Sequence, residues 1–377
     1  LIEQERGNFQ MELKNVLVVD PVDGEYTANV RISGNKIESV DRTHGNPRLI
    51  MMPGFVDTHS HGAAGVNSMK MDHIGLEKWE EFLYPHGVTF LLPSTVSALK
   101  KDMLRVANLV SSYMEEKART SIRGVHYEGP YINVKKKGAQ NPETIRPATP
   151  KELREILTDD VILVTMAPEI DGFFEALAEM KMQDVVVSMG HTDATFAQIN
   201  KAFEAGCDRM THFPNGMNTL HHREVGCVGA GLMLPLKLEM IVDGFHTAPE
   251  FVRLVYVIRG TDNIILVTDS IDATGLEDGI YDLGGLRVTV NEGKATLDDG
   301  TIAGSTLVLD QAVRNFRKWT GCSLVELARV SSYNALTNLG VRNRGRIKEG
   351  YLADLVIMDS ELNVVETILA GKSVYKS

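Results

Sequence analysis

The sequence is poor in cysteine, in positive charge and in long apolar runs. Only three cysteines occur among 377 residues, Cys207, Cys227 and Cys322. An odd count at such wide spacing makes neither a disulfide framework nor a CxxC zinc site, so small buried hydrophobes in a reducing compartment are expected. Lysine and arginine total 39 against 50 acidic residues, a formal charge of -11. That balance argues against binding to a nucleic-acid backbone, which needs a broad basic surface, although a local basic pocket can still hold a small anion. No apolar run approaches the ~18 residues of a spanning helix, so no membrane segment is expected. The first ten residues, Leu1 to Gln10, are polar and lack the apolar stretch of a signal peptide. They read as an extension ahead of Met11 with little structural consequence, and the chain reads as cytoplasmic. No GxGxxG follows the first strand of the central block, and no GxSxG surrounds Ser60, Ser94 or Ser305. Dinucleotide binding and a serine nucleophile are therefore disfavoured.

What is present is ordinary for a globular chain: 43% apolar and 24% charged residues. A chain this long buries about three quarters of its surface, so a large core needs no staples. Its length suits two or three domains, or one large barrel with an accessory piece.

The two ends read alike. Short β-rich runs fill Asn15–Val19, Ala28–Ile32, Lys36–Val40 and Leu49–Met52, with Asp23-Gly24 and Gly34-Asn35 as turns. Similar runs return at Gly345–Ile347, Ala353–Met358, Val364–Ile368 and Ser373–Tyr375. A small β-sandwich domain built from residues 11–52 and 345–377 is expected. The middle, 53–344, alternates apolar runs with amphipathic stretches, the pattern of parallel βα units. Eight runs are predicted as strands: Gly54–Asp57, Val88–Pro93, Gly124–Glu128, Val161–Ala167, Val185–Met189, Arg209–His212, Leu238–Val242 and Ile264–Thr268. Crossing helices are predicted at Ile74–His86, Lys100–Lys117, Gly172–Met182, Ala194–Ala205 and Pro249–Arg259. The α/β class with a (β/α)8 barrel fits this count, with a doubly wound open sheet as the alternative.

The strongest signal lies where those runs stop. The first ends in His59-Ser60-His61, the third in Glu128, and the fifth, sixth, seventh and eighth lead into His191, His212, His246 and Asp269. In a (β/α)8 barrel these carboxy-terminal ends meet on one rim, where active sites sit. His59 and His61 are two apart on a strand and share a face. One such histidine is ordinary; this many rim groups point to one or two divalent metals, zinc or iron by ligand type. Asp269 then stands as an acceptor for a proton from metal-activated water. His126 shares the face of Glu128 and reads as a supporting or structural histidine. His44 and His73 read as surface residues, His86 as a helix end before Gly87, and Lys135-Lys136-Lys137 as a solvated loop. The methionines Met51, Met52, Met69 and Met71 read as core. His221-His222-Arg223, in a loop after the sixth run, could attract an anionic group.

With these residues in place, the chain resembles the amidohydrolase superfamily, from about Lys14 to Tyr375. Pro53-Gly54-Phe55-Val56-Asp57-Thr58-His59-Ser60-His61 carries the superfamily likeness. His126-Tyr127-Glu128-Gly129-Pro130, Thr211-His212-Phe213-Pro214-Asn215-Gly216-Met217 and Ala303-Gly304-Ser305 narrow it to the amino-sugar-phosphate deacetylases. The resemblance implies hydrolysis of the acetamide of N-acetylglucosamine 6-phosphate by a metal-bound hydroxide, with Asp269 as general base and then acid. It implies Glu128, His191 and His212 as primary metal ligands and His59 and His61 as ligands of a second ion. It implies Ala139, Gln140, Asn215, Gly216, Arg223, His246, Ile302, Ala303 and Gly304 as substrate-binding positions. It further implies a homodimer in which Arg223 reaches the phosphate in the neighbouring site. Many relatives carry His where this chain has Gln140, which bears on the acetyl contact and the sugar isomer. N-acetylgalactosamine 6-phosphate, or another N-acyl compound, is the alternative substrate. A non-catalytic scaffold is the alternative of another class.

Overall fold

A computed structural model of the chain describes residues 10–377. Of the leading extension expected at Leu1 to Gln10, residues 1–9 lie outside the described residues, and Gln10 belongs instead to the strand Gln10–Asp20.

Eight parallel strands pair side by side in chain order. They are Phe55–Ser60, Val88–Thr95, Val125–Glu128, Val161–Met166, Val186–Met189, Arg209–Met210, Lys237–Ile241 and Ile264–Val267. Ser60 and Ser270 bridge the first to the chain following the eighth, where His61 N–H donates to the Ser270 carbonyl at 2.7 Å. The sheet thus closes on itself as a barrel, and the open-sheet alternative falls away. Strands covered on both faces read as unbroken apolar runs, as Ile264–Val267 does with every residue buried. The crossing helices are amphipathic for the same reason. Lys100–Glu116 buries Met103, Val106, Ala107, Val110 and Tyr113, the stripe a helix turns toward a sheet. Phe196–Glu204 starts at a capping box between Thr195 and Gln198.

The chain ends combine as expected. Gln10–Asp20, Gly24–Ser33, Lys36–Arg42 and Ile50–Pro53 join Leu355–Met358, Val364–Leu369 and Lys372–Lys376 in one seven-stranded sheet. Ile50–Pro53 is the seam, parallel to Gln10–Asp20 and antiparallel to Leu355–Met358. Val18, Val30, Ile32, Met51, Leu355 and Ile368 form a core for this sheet, separate from that of the barrel. Gly345–Ile347, expected as a strand, is irregular. Its polar groups turn to buried Asp20 instead: Arg346 pairs with that carboxylate at 2.8 Å and Ile347 N–H donates to it at 2.9 Å.

A further sheet was not anticipated. After the eighth strand, Gly279–Leu283, Leu286–Asn291 and Lys294–Thr296 form a three-stranded sheet. Leu283, Val288, Val290 and Ala295 pack on Val96, Ile271 and Ala303. This sheet therefore stands over one side of the barrel mouth.

Candidate active site

Each rim residue is delivered by a strand end. His59 lies on the first strand, His61 just beyond it, and Glu128 is the last residue of the third. His191, His212 and Asp269 follow the fifth, sixth and eighth strands with φ of 47°, 31° and 50°. Left-handed backbone at three non-glycine residues is strained by about 1–3 kcal/mol each and marks a site the fold over-determines.

Their side chains converge. One nitrogen or oxygen each from Glu128, His191 and His212 lies within 4.8 Å of the others, and so do atoms of His59, His61 and Asp269. Glu128 joins the two sets. Its Oε1 is 3.1 Å from His191 Nε2, 3.0 Å from His212 Nε2 and 3.2 Å from His59 Nε2; its Oε2 is 3.3 Å from His61 Nε2. Asp269 Oδ1 lies 3.2 Å from His61 Nε2 and 3.5 Å from His59 Nε2.

All four imidazoles are held from behind. His61 Nδ1 meets the Ser94 carbonyl at 3.1 Å, His191 Nδ1 the Lys136 carbonyl at 2.8 Å, and His212 Nδ1 the Asn215 carbonyl at 3.1 Å. His59 Nδ1 is 3.1 Å from Glu239 Oε2. Carbonyls and carboxylates only accept, so each Nδ1 carries the hydrogen and each Nε2 turns a lone pair inward. His191 Nε2 and His212 Nε2 stand 3.1 Å apart beside Glu128, and His59 Nε2 is buried with no hydrogen-bond partner among the described residues. Inward-facing lone pairs at such distances repel unless a positive centre lies among them. The donor set of imidazole and carboxylate fits a divalent cation of the zinc or iron type.

The electrostatics agree. Burial alone would depress the histidines, but Glu128 and Asp269 hold His59 well above its ordinary value, raise His191, and bring His61 to about 9. His212 is lowered by burial and by neighbouring His191 and His59. Burial opposes ionisation of Glu128 and Asp269, yet the surrounding imidazoles keep both below the usual carboxylate range. A cation held by these residues would take the place of the protons that the histidines otherwise attract.

Above this cluster lies a cavity of about 280 Å³. Of the expected substrate-binding positions, Ala139, Gln140, Asn215, Gly216, His246, Ile302 and Gly304 line it. His246 is steadied by Asp243 Oδ2, 2.6 Å from its Nδ1. Ala303 is placed differently: its side chain is buried in the apolar cluster under the three-stranded sheet. Arg223 is exposed on the loop after the sixth strand, against His222 at 2.9 Å, and does not line this cavity. Gln140 is 5% exposed and engaged: its Oε1 accepts from Ser97 N–H at 2.6 Å and its Nε2 donates to Glu128 Oε2.

Other readings are refined. His126 bonds Ser94 at 3.0 Å and Thr165 at 2.8 Å, with its ring edge-on to His59, so it supports from within the barrel. Lys136 belongs to the lysine run read as solvated, but its carbonyl anchors His191. Leu283 and Thr301 of the cavity wall were missed; the Leu283-Gly284-Gly285-Leu286 turn between alternating apolar residues was the available signal. Glu239 and Arg209 were also missed. A charged residue inside a strand buried on both faces was the signal there.

The amidohydrolase family description matches residues 50–374. N-acetylglucosamine-6-phosphate deacetylase of Lysinibacillus sphaericus is 35% identical over 96% of this chain and 96% of its own. The crystal structure of the Thermotoga maritima N-acetylglucosamine-6-phosphate deacetylase superposes with a TM-score of 0.95 at 48% identity, over 97% of this chain and 100% of that one. An aspartate-to-alanine variant of the Mycobacterium smegmatis enzyme, solved with N-acetyl-D-glucosamine-6-phosphate, superposes with a TM-score of 0.91 at 31% identity, over 98% and 100%.

Proposed function

The chain belongs to the amidohydrolase family, in its N-acetylglucosamine-6-phosphate deacetylase branch, and from that premise we propose how its residues perform the reaction. It hydrolyses the acetamide of N-acetylglucosamine 6-phosphate: water enters, and glucosamine 6-phosphate and acetate leave. The observation that carries this reading is the convergence of Glu128, His191 and His212 beside His59, His61 and Asp269 on the barrel rim. A scaffold that had lost catalysis would have no reason to keep the complete set.

Glu128, His191 and His212 are the primary cation ligands. His59 and His61 would hold a second ion. A divalent cation, zinc or iron by ligand type, supplies Lewis acidity when bound, lowering the pKa of water and polarising the acetyl carbonyl. Asp269 takes the proton from the attacking water and returns it to the departing nitrogen, since an amine leaves only when protonated. His246, with its Nδ1 held by Asp243, offers Nε2 to the sugar. Asn215 and Gly216 present the loop beyond His212, with Ala139, Gln140, Ile302 and Gly304 as the remaining walls and Ala303 shaping them from behind.

A phosphate dianion needs cationic partners, yet among the described residues no Lys or Arg lines the cavity. Arg223 of a second copy supplies that charge in a homodimer. Residues 53–344 act as the catalytic domain, with 11–52 and 345–377 as the small domain. The buried, unpaired cysteines Cys207, Cys227 and Cys322 suit a reducing cytoplasm, and no described helix is long and apolar enough to cross a membrane.

Protein reconstituted with zinc or ferrous iron is expected to release acetate from N-acetylglucosamine 6-phosphate, to fall silent with chelator, and to recover on metal return. It is expected to favour this isomer over N-acetylgalactosamine 6-phosphate in kcat/KM. No acetate from any metal-loaded form overturns the reading.

A further inference from the structure

Glu239 lies in the seventh barrel strand, Lys237–Ile241, and is fully buried among Leu238, Met240 and Ile241. An ionised carboxylate there is costly unless its oxygens are fully engaged. They are. Arg209, from the sixth strand and equally buried, donates through Nε to Oε1 at 2.8 Å. His59 Nδ1 lies 3.1 Å from Oε2, and His212 N–H donates to the same oxygen at 3.2 Å. Arg209 is aimed in turn by Asn338 Oδ1 at 3.0 Å and by the Thr58 hydroxyl. One carboxylate thus touches a member of each cation-binding set: the ring of His59 in one and the backbone of His212 in the other.

We infer that Glu239, kept charged by Arg209, is a positioning residue that sets the tautomer and ring direction of His59 and fixes the strained start of the His212 loop. It reaches neither the cavity nor the substrate and acts through these two histidines. The consequence is chemical as well as geometric. A carboxylate on Nδ1–H makes the opposite nitrogen a better donor, and loss of such a partner costs about 10- to 100-fold in metal affinity. His59 Nε2, buried with no hydrogen-bond partner among the described residues, is the nitrogen so prepared.

The inference rests on the metal reading above, and the test separates the two. The affinity for zinc is measured by chelator competition in the wild type, in Glu239→Gln and in Arg209→Met/Glu239→Gln. The double variant leaves no buried charge unpaired and guards against simple unfolding of the single one. Both are expected to bind zinc about 10- to 100-fold more weakly with an unchanged far-ultraviolet circular dichroism spectrum. In a His59→Ala background, the effect of Glu239→Gln is expected to shrink by about threefold or more, because the path through the ring is gone and only the bond from His212 N–H remains. Wild-type affinity in a folded variant, or an undiminished effect without His59, overturns the role of Glu239. A wild type that takes up no zinc overturns the metal reading together with it. A second measurement needs no variant. In zinc-loaded wild-type protein labelled with 15N-histidine, the ring of His59 is expected as the Nδ1–H tautomer. An Nε2–H ring contradicts the inference.

Discussion

The backbone N–H of Asp269 donates to the carbonyl of His59 across 2.8 Å. That bond joins the chain leaving the eighth barrel strand to the first strand, so it helps close the barrel. The same two residues bring their side chains within 3.5 Å of each other. Closing the sheet and bringing the Asp269 carboxylate beside the His59 ring are therefore one structural event. Thr268 and Asp57 reinforce the seam one residue earlier, with the Thr268 hydroxyl donating to Asp57 Oδ2 at 2.6 Å.

Because that closure uses the backbone of Asp269, its carboxylate can be changed without undoing the seam. Asp269→Asn is expected to retain metal and lose turnover by about 10²- to 10⁴-fold, the usual worth of a general acid-base group. Steady-state kcat beside metal analysis checks this. Wild-type turnover removes Asp269 from proton transfer.

Gly216 has a φ of +64°, and a Cβ there would stand 3.0 Å from His191 Nδ1 and 3.5 Å from His212 Cε1. Gly216→Ala therefore meets strain of about 1–3 kcal/mol and presses on His191 and His212 at once. A lower melting temperature, weaker cation retention and a loss of kcat/KM are expected. If calorimetry and metal analysis match the wild type, the cradle is looser than the distances imply.

Gln140 separates two roles. The Ser97 N–H can only donate, so Gln140 presents Oε1 to it and Nε2 to Glu128. Removing the amide in Gln140→Ala frees Glu128 to turn. Cation retention is expected to fall by about tenfold, with KM at saturating metal changed by less than about twofold. Unchanged retention with a raised KM instead makes Gln140 a substrate contact.

Much of this arrangement was legible in the sequence because parallel barrels write themselves plainly. Buried strands are mostly apolar runs, and polar residues gather where the runs stop, so His59, Glu128, His191, His212 and Asp269 stood out at run ends. Three features did not stand out, each for a physical reason. Glu239 and Arg209 are charged residues within strands, and only their mutual contact makes them tolerable there. That contact spans 30 residues of sequence. The anchoring of His191 uses the backbone carbonyl of Lys136, which any residue type could supply. Ala303 lies between cavity-lining Ile302 and Gly304, yet its side chain packs beneath the three-stranded sheet. Adjacency to wall residues does not tell which way a side chain turns.

Asp310 ties the last long helix, Leu309–Thr320, back to the first βα unit. Its carboxylate pairs with His86 at 2.9 Å and Arg314 at 2.8 Å. Burial opposes its ionisation, but these partners hold its pKa below the ordinary 3.8. A depressed carboxylate pKa contributes stability that is present above the unfolded value and lost as pH falls through the folded one. Asp310→Asn is therefore expected to lower stability by about 2 kcal/mol near neutrality and to lose less than the wild type below about pH 4. Urea unfolding at several pH values checks it. A constant difference across that range contradicts the assignment.

Anomalous diffraction at the zinc edge, from crystals of the zinc-loaded protein, bears most directly on the account. It predicts a peak about 2.0–2.2 Å from Glu128 Oε1, His191 Nε2 and His212 Nε2 together. A loaded protein whose zinc lies elsewhere, away from those three atoms, contradicts it.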